Sequence, residues 1–192
     1  MDDSDEALLR AYTAGDEAAL ARLLDRYRSR VAALVRCRLG PGSLWVEDVA
    51  QDVFVQVHRG AVRFEGRSSF RTWLYAIALR VCRDHGRRQR LAPEARAMDT
   101  DPDATLAALP DRSLDPLQIM EQAERAALVR AAVERLSPEH RTALQLRDGE
   151  EMSYEEIAQV LGVPVGTVRS RLHNARATLA NHLASLLRQE RV

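Results

Sequence analysis

The chain has 192 residues, with 28 basic and 28 acidic residues and a formal net charge of zero. Hydrophobic residues make up 46% and charged residues 29%, which is ordinary for a globular chain and excludes a disordered tail. No run approaches the roughly 18 consecutive apolar residues of a membrane-spanning helix. The acidic residues 1–6 exclude a secretory signal or transit peptide, so we expect a cytoplasmic protein.

Helical periodicity runs through most of the chain, and almost no segment alternates as a strand does. A first helical segment covers residues 8–34 and is followed by a Gly-Pro-Gly-Ser break at 40–43. A second helix is predicted over about 45–59 and a loop over 63–69. A third helix, over about 70–88, is predicted to bury Trp73, Leu74, Ile77 and Val81.

Residues 91–116 lack sustained periodicity and contain four prolines and five aspartates. Proline removes a helix donor and disfavours helix at the preceding residue. A patternless stretch of this length inside one compact domain would be unusual. We therefore predict an all-α protein of two small helical domains, residues 1–90 and 117–192, joined by a Pro/Asp-rich acidic linker over 91–116.

The second domain carries clear helix starts and a helix-turn-helix pattern. Ser137 followed by Pro138 is a favourable N-cap and first helical position. Residues 153–156, Ser-Tyr-Glu-Glu, form a capping-box pattern. The helix predicted over 153–161 is followed by a Gly-containing turn at 162–166 and a helix over 167–179, which is the helix-turn-helix arrangement.

Residues 157–189 contain no acid, and the apolar stripe of the 167–179 helix leaves one polar face free. In a helix-turn-helix, the N-terminal half of such a face enters the major groove, where Arg reads guanine and Asn reads adenine. The alternative is a helical hairpin with a basic, solvated face. The candidate contact residues are Thr167, Arg169, Ser170, Arg171, His173, Asn174 and Arg176.

The first domain combines arginines with aromatic residues. Residues 21–90 hold fifteen Arg and six acids, a net charge of +9. Such a surface fits a polyanion, and aromatic side chains beside Arg stack exposed bases of single strands. Phe64 lies in the predicted loop and is the better candidate for a base contact, whereas Phe70 and Trp73 are at core spacing. Charge alone would equally fit solvated helix faces.

The second helix has a different character, because its polar residues Glu47, Asp48, Gln51 and Asp52 are acidic or neutral. This face suits a protein partner better than DNA, although an ordinary solvated face would look the same. The sequence contains no Gly-rich phosphate loop, metal-ligand cluster or nucleophile–base arrangement. We therefore expect no enzymatic activity, no metal, no cofactor and no small-molecule substrate.

Several long motifs, taken together and in order, resemble the extracytoplasmic-function sigma factors of the bacterial sigma-70 family. They are EDVAQDVF at 47–54, FEGRSSFRTWLY at 64–75, LSPEHR at 136–141, SYEEIA at 153–158 and GTVRSRL at 166–172. The resemblance covers about residues 5–90 and 117–187.

The resemblance implies a division of labour among the candidate residues. The 47–54 helix would dock on the clamp of the largest subunit of core RNA polymerase, through Glu47, Asp48, Gln51, Asp52 and Phe54. The helix-turn-helix would bind the −35 promoter element. The loop over 64–70 and the helix after it would open the −10 element and capture a flipped base. The −10 residues would be Phe64, Arg67, Ser69, Phe70, Arg71, Arg80, Arg83, Arg87 and Arg88.

The resemblance also implies three partners. They are core polymerase (including the flap of its second largest subunit), promoter DNA, and an anti-sigma factor, which can be membrane-bound. The acidic linker would thread toward the polymerase active-site and RNA-exit path. The chain departs from the family pattern at Ala76, Arg80, Glu151 and Asn174, which leaves its −10 and −35 preferences open. A stand-alone helix-turn-helix regulator that binds duplex DNA directly is the alternative reading.

Overall fold

A computed structural model describes residues 4–91 and 116–189, with side chains at 4–91 and 123–188. Within these ranges every regular element is helical, and no helix is long and apolar enough to cross a membrane. The predicted linker lies outside the described residues. The helices are α1 (Asp5–Thr13), α2 (Glu17–Leu39), α3 (Val46–Ala61), α4 (Phe70–Leu91), α5 (Pro116–Glu134), α6 (Pro138–Leu144), α7 (Tyr154–Leu161) and α8 (Val165–Gln189).

The N-terminal half packs α1 to α4 around a common apolar core. α2 contributes Leu23 and Val31, which are fully buried, and α3 contributes Val53 and Val57. The single helical segment predicted over 8–34 is wrong, because the chain breaks between α1 and α2. There Asp16 caps α2 by accepting a hydrogen bond from the Ala19 amide at 3.2 Å. The apolar period continues across this break, so periodicity alone did not indicate it.

α3 and α4 approach closely where Gly60 faces Trp73. A Cβ atom at Gly60 would lie 2.9 Å from the Trp73 ring, so only glycine fits without a shift. Of the four residues predicted to be buried on α4, Leu74 and Val81 are buried. Trp73 and Ile77 are only partly buried, because their outer edges face a groove between the two helices.

The C-terminal half places α5, α6 and α7 against α8. Both predicted caps are confirmed: Ser137 caps α6 with Pro138 in its first turn, and Ser153 forms a reciprocal capping box with Glu156. One turn of π-helix, Gln145–Gly149, joins α6 to the segment before α7, and the sequence did not predict it. α8 extends to Gln189, ten residues beyond the end predicted from its apolar stripe.

The two halves pack against each other, with α4 on α7 and α2 on α6. Arg141 of α6 is buried and donates from Nε to the Cys37 carbonyl at 3.1 Å. At the surface of the same contact, Arg38 donates to Glu139 at 2.8 Å. This hydrogen bond, more than any other cause, holds the pKa of the Glu139 carboxyl below its ordinary value. Side chains of both halves therefore contribute to one continuous core.

Glu151 occupies a left-handed backbone conformation with φ of 54°. Among the described residues it is the one non-glycine residue with positive φ, a conformation that costs an L-residue about 1–2 kcal/mol. The resemblance described in the sequence analysis implies glycine at this position. The departure noted in the sequence therefore has a local energetic cost.

We predict that Glu151→Gly raises the free energy of unfolding by about 0.5–1 kcal/mol. Relief of the left-handed strain exceeds the added entropy of the unfolded chain. Thermal denaturation followed by circular dichroism should show a Tm increase of about 2 °C. Glu151→Ala removes the same charge but keeps the strain, so it should give no gain. An equal gain in the alanine variant would show that charge, and not backbone conformation, decides stability here.

Candidate nucleic-acid interface

The helix-turn-helix is formed by α7 and α8, joined at Gly162, which adopts the left-handed conformation that ends α7. Val168, Leu172 and Ala175 of α8 are buried, as are Ile157 and Ala158 of α7. This apolar contact fixes the rotation of α8 about its axis. The opposite face of α8 is therefore presented to solvent, as the stripe predicted.

The predicted duplex-binding residues divide into two groups. Thr167 and Arg171 are partly buried, and the Thr167 carbonyl accepts a hydrogen bond from the Ser170 hydroxyl at 3.0 Å. Arg171 lines a cavity of about 170 Å³ between the two halves, together with Arg38 and Arg83. The solvent-exposed members of the set are Arg169, Ser170, His173, Asn174 and Arg176.

Arg176 is held in place by a residue that the sequence did not predict to be functional. Its guanidinium donates to the Asp148 carboxylate at 2.8 Å, and this hydrogen bond raises the pKa of Arg176. Asp148 lies in the π-helical turn, which carries it to the exposed face of α8. Both side chains are about half exposed, so a phosphate could replace the carboxylate as the partner of Arg176.

We predict that Asp148→Asn strengthens binding to non-specific duplex DNA about 3- to 10-fold at low salt. The substitution removes a competing anion and leaves Arg176 available to a phosphate. Fluorescence anisotropy across a salt series measures both the affinity and the slope of its logarithm against log salt, which should steepen by about one. Arg176→Ala in the Asp148→Asn background should abolish the gain. A gain that survives this second substitution would exclude Arg176 as the phosphate contact.

Three aromatic residues of the N-terminal half, Phe64, Phe70 and Trp73, form a cluster at the start of α4. Phe64 lies 5.1 Å from Trp73 and 6.3 Å from Phe70, measured between ring centroids. Phe70 is fully buried, so no base can stack on it in this conformation. Phe64 remains partly exposed and lines a cavity of about 220 Å³ formed by the 63–69 loop, with Arg63, Arg67 and Trp73.

Ser69 has a structural role at the start of α4. Its hydroxyl oxygen accepts a hydrogen bond from the Thr72 amide at 3.2 Å and lies 2.9 Å from the Thr72 hydroxyl. This is the geometry of a helix N-cap. The prediction that Ser69 contacts DNA therefore has a competing explanation in the local structure.

A basic groove runs between α3 and α4. Its volume is about 680 Å³, and its charged lining consists of four arginines and two aspartates. Ala76 and Arg80, the two departures from the family pattern on α4, both line it. Arg59 and Arg63 also belong to the groove and were not predicted, because they precede the motif that indicated DNA binding. The charged lining residues are Asp52, Arg59, Arg63, Arg80, Asp84 and Arg88.

The remaining predicted −10 arginines have partners within the protein. Arg67 pairs with Glu65 at 2.6 Å, and Arg87 pairs with Asp84 at 3.4 Å. Arg83 donates to the carbonyl of the residue one turn earlier in α4. Arg71 is turned toward the C-terminal half, where it contacts Glu156 at 3.2 Å.

The acidic face of α3 is solvent-exposed along its length, with Glu47, Asp48, Gln51 and Asp52 all exposed. Val55 follows one turn later and is 40% exposed, an apolar residue that the sequence did not single out. Phe54 is partly buried in a groove of about 380 Å³ between α2 and α3, whose lining includes Leu24, Arg28, Ala32, Glu47, Ala50 and Gln51. An acidic helix face beside a partly apolar groove is suited to a basic, amphipathic protein partner.

Neither cysteine indicates redox or metal chemistry. Burial raises the pKa of Cys82 to about 11 and raises the pKa of Cys37, so both thiols are protonated near neutral pH. Over the residues described, no three His, Cys, Asp or Glu side chains are grouped so as to hold a metal ion.

Two family patterns match this chain: residues 23–92 match the family described as Sigma-70 region 2, and residues 126–179 match Sigma-70, region 4. The RNA polymerase sigma-H factor of Pseudomonas aeruginosa is 35% identical over 193 residues, which cover 97% of each chain. The ECF RNA polymerase sigma-E factor of Escherichia coli K12 is 34% identical over 190 residues, again 97% of each chain.

Solved structures show the same fold. CnrH, in complex with the cytosolic domain of CnrY, aligns with a TM-score of 0.62 and 27% identity, over 94% of this chain and 97% of that one. The sigma factor RpoE of Bartonella quintana, in complex with the anti-sigma factor NepR, aligns with a TM-score of 0.65 over 86% of this chain and 96% of that one. Its identity is 23%, so it supports the fold alone.

Proposed function

The chain belongs to the extracytoplasmic-function sigma factors of the sigma-70 family, and from this premise we propose which surfaces perform each step of transcription initiation. A sigma factor of this class is not an enzyme; it binds core RNA polymerase and directs it to specific promoters. The single observation that carries the assignment is full-length similarity to named sigma factors, with both halves matched in order. The stand-alone regulator is not favoured, because it leaves the match of residues 23–92 unexplained.

The acidic face and apolar groove of α3 are the proposed binding surface for the clamp of the polymerase. Exposed carboxylates at the rim steer a basic partner and set its orientation. The partly buried Phe54 ring and the exposed Val55 offer apolar area, which supplies most of the affinity of a protein interface. Asp52 also lines the basic groove, so this surface adjoins the proposed −10 surface.

We predict that Asp48→Arg with Asp52→Arg weakens association with core polymerase at least about tenfold, since it places like charges against a basic partner. Gel filtration of the variant with purified core polymerase measures the loss. The matched control is Glu6→Arg with Glu17→Arg, which makes the same charge change at exposed positions on α1 and α2. Co-elution unchanged in the α3 variant would exclude this face as the clamp-binding surface.

The 63–69 loop and the basic groove of α3 and α4 are the proposed −10 surface. Phe64 and the cavity beside it offer a stacking platform for an unpaired base, which is worth ~1–3 kcal/mol. The groove arginines neutralise the adjacent phosphates. In this proposal Arg59 and Arg63 join Arg80 and Arg88 as phosphate contacts. The buried Phe70 ring packs against the Phe64 and Trp73 rings and does not itself contact the base.

The exposed face of α8 is the proposed reader of the −35 element. Arg169, His173 and Asn174 lie on its N-terminal half, which is the part of a recognition helix that reaches base edges. Arg176 follows and contacts phosphate. Because Asn174 stands where the family often has Arg, an adenine contact is expected there in place of a guanine contact.

We predict that Arg169→Ala with Asn174→Ala lowers promoter-specific transcription about 10- to 100-fold, because each lost base contact is worth ~1–3 kcal/mol. Run-off transcription with core polymerase measures the effect, and gel filtration should show that core binding is retained. Arg188→Ala removes an exposed arginine from the far end of the same helix and should change neither readout. Loss of core binding in the double variant would contradict the separation of functions between α3 and α8.

The protein is proposed to act in the cytoplasm, where core polymerase and promoters are found, and to be held inactive there by an anti-sigma factor. CnrH, a structural relative at 27% identity, was solved in complex with the cytosolic domain of CnrY, which supports a protein partner for this chain. A partner that contacted both halves would cover the −10 and −35 surfaces together.

A further inference from the structure

Glu150 is a buried carboxylate that lies between the two halves. Its side chain is only 3% exposed. It accepts a hydrogen bond from the Tyr75 hydroxyl of α4, and it lies 3.9 Å from the Arg30 guanidinium of α2. Within its own half it receives only a long contact of 3.5 Å from the Gln145 amide. The other half therefore supplies both its closest partner, Tyr75, and its oppositely charged partner, Arg30.

The backbone of the same residue makes a second connection. The Glu150 carbonyl accepts a hydrogen bond from Arg71 at 2.9 Å, and a second nitrogen of Arg71 donates to Glu156 at 3.2 Å. Arg71 and Tyr75 are four residues apart on α4, so they share one face of that helix. The Tyr75 hydroxyl is kept protonated, because its burial and this hydrogen bond raise its pKa. Two residues on one face of α4 thus bind Glu150: Tyr75 binds its carboxylate and Arg71 binds its main-chain carbonyl.

This arrangement conflicts with promoter binding. α4 packs directly on α7, the first helix of the helix-turn-helix. Two turns of DNA span about 70 Å, which is the scale of separation between the −10 and −35 elements. Helices in contact cannot reach two elements that far apart. In addition, Arg71 is bound to Glu150 and Glu156 and is withheld from the −10 element.

We propose that Glu150 is an intramolecular latch that holds the free protein closed, and that its release frees Arg71 and lets the two halves separate on the polymerase. The proposal rests on the proposed function, because it assumes that both halves meet promoter DNA. A carboxylate suits a reversible contact better than an apolar side chain would. In the closed state Tyr75 and Arg30 pair with the Glu150 carboxylate, and in the open state water hydrates it. The carboxylate is therefore left unpaired in neither state.

The test compares Glu150→Gln and Tyr75→Phe with the native protein. Each variant weakens the latch without changing side-chain volume much, and Glu155→Gln is the matched control, since it removes an exposed carboxylate from α7. Small-angle X-ray scattering measures the radius of gyration, which for a compact chain of this length is about 16 Å. We expect both latch variants to expand by several Å and the control to remain compact. Circular dichroism checks that helix content is retained.

Binding of a fluorescein-labelled mixed-sequence 12-nucleotide single strand measures whether Arg71 becomes available to nucleic acid. We expect both latch variants to bind about 3- to 10-fold more tightly than the native protein, as follows when a minor open state becomes more populated. The double variant should gain less than the product of the two single gains, because both act on one contact. Unchanged radius and affinity in both variants, with only a lower Tm, would reduce Glu150 to a structural contact and overturn the proposal.

Co-elution of the same variants with core polymerase separates this proposal from the function on which it rests. If the native protein bound no core polymerase, the proposed function would fail, whereas the scattering comparison would still decide whether Glu150 closes the free protein. If core binding were intact but the latch variants stayed compact and bound the single strand no better, the latch alone would fail.

Discussion

The contact between α4 and α7 is the constraint on which the rest of the structure depends, and the buried carboxylate of Glu150 is its polar centre. The turn that delivers Glu150 into this contact also carries Asp148 to the exposed face of α8. One short segment therefore joins the two halves and positions a proposed DNA contact. Its strained neighbour Glu151, with φ of 54°, completes the change in chain direction that this placement requires.

Although the net charge of the chain is zero, acidic and basic side chains lie on separate surfaces, which suits an initiation factor. Acidic residues of α3 face a proposed protein partner, and arginines of the α3–α4 groove face a proposed nucleic acid, with Asp52 on the border between them. Exposed ion pairs such as Arg67 with Glu65 contribute little to stability. In the proposed function, a phosphate would replace the carboxylate as the partner of Arg67. The same exchange is proposed for Arg176 and Asp148.

The sequence predicted those features that depend on neighbouring residues. The capping box at Ser153, the Ser137–Pro138 helix start and the apolar stripe of α8 follow from spacings of three or four residues, and the structure confirms them. Family membership followed from motifs of six to twelve residues. The individual contact residues on α3, α4 and α8 stay predictions.

Features that depend on distant residues were not predicted. Glu150 reads as one more surface acid, because Tyr75, its closest partner, lies 75 residues away in the chain. The π-helical turn has no periodic signature of its own, and the break at Asp16 lies within a continuing apolar period. Phe64 was already the better candidate for a base contact, because it lies in the predicted loop, whereas Phe70 is at core spacing and joined the −10 residues through the family resemblance. The structure shows that the Phe70 ring is fully buried and that the Phe64 ring is partly exposed.

The most direct test of the central claim is a run-off transcription assay on fragments of the source genome, with purified core polymerase in the presence and absence of this protein. The account predicts discrete start sites that need both components and share sequence elements near −10 and −35, while the protein alone binds duplex promoter fragments poorly. Tight duplex binding by the protein alone, with core transcription unchanged by its addition, would contradict the account.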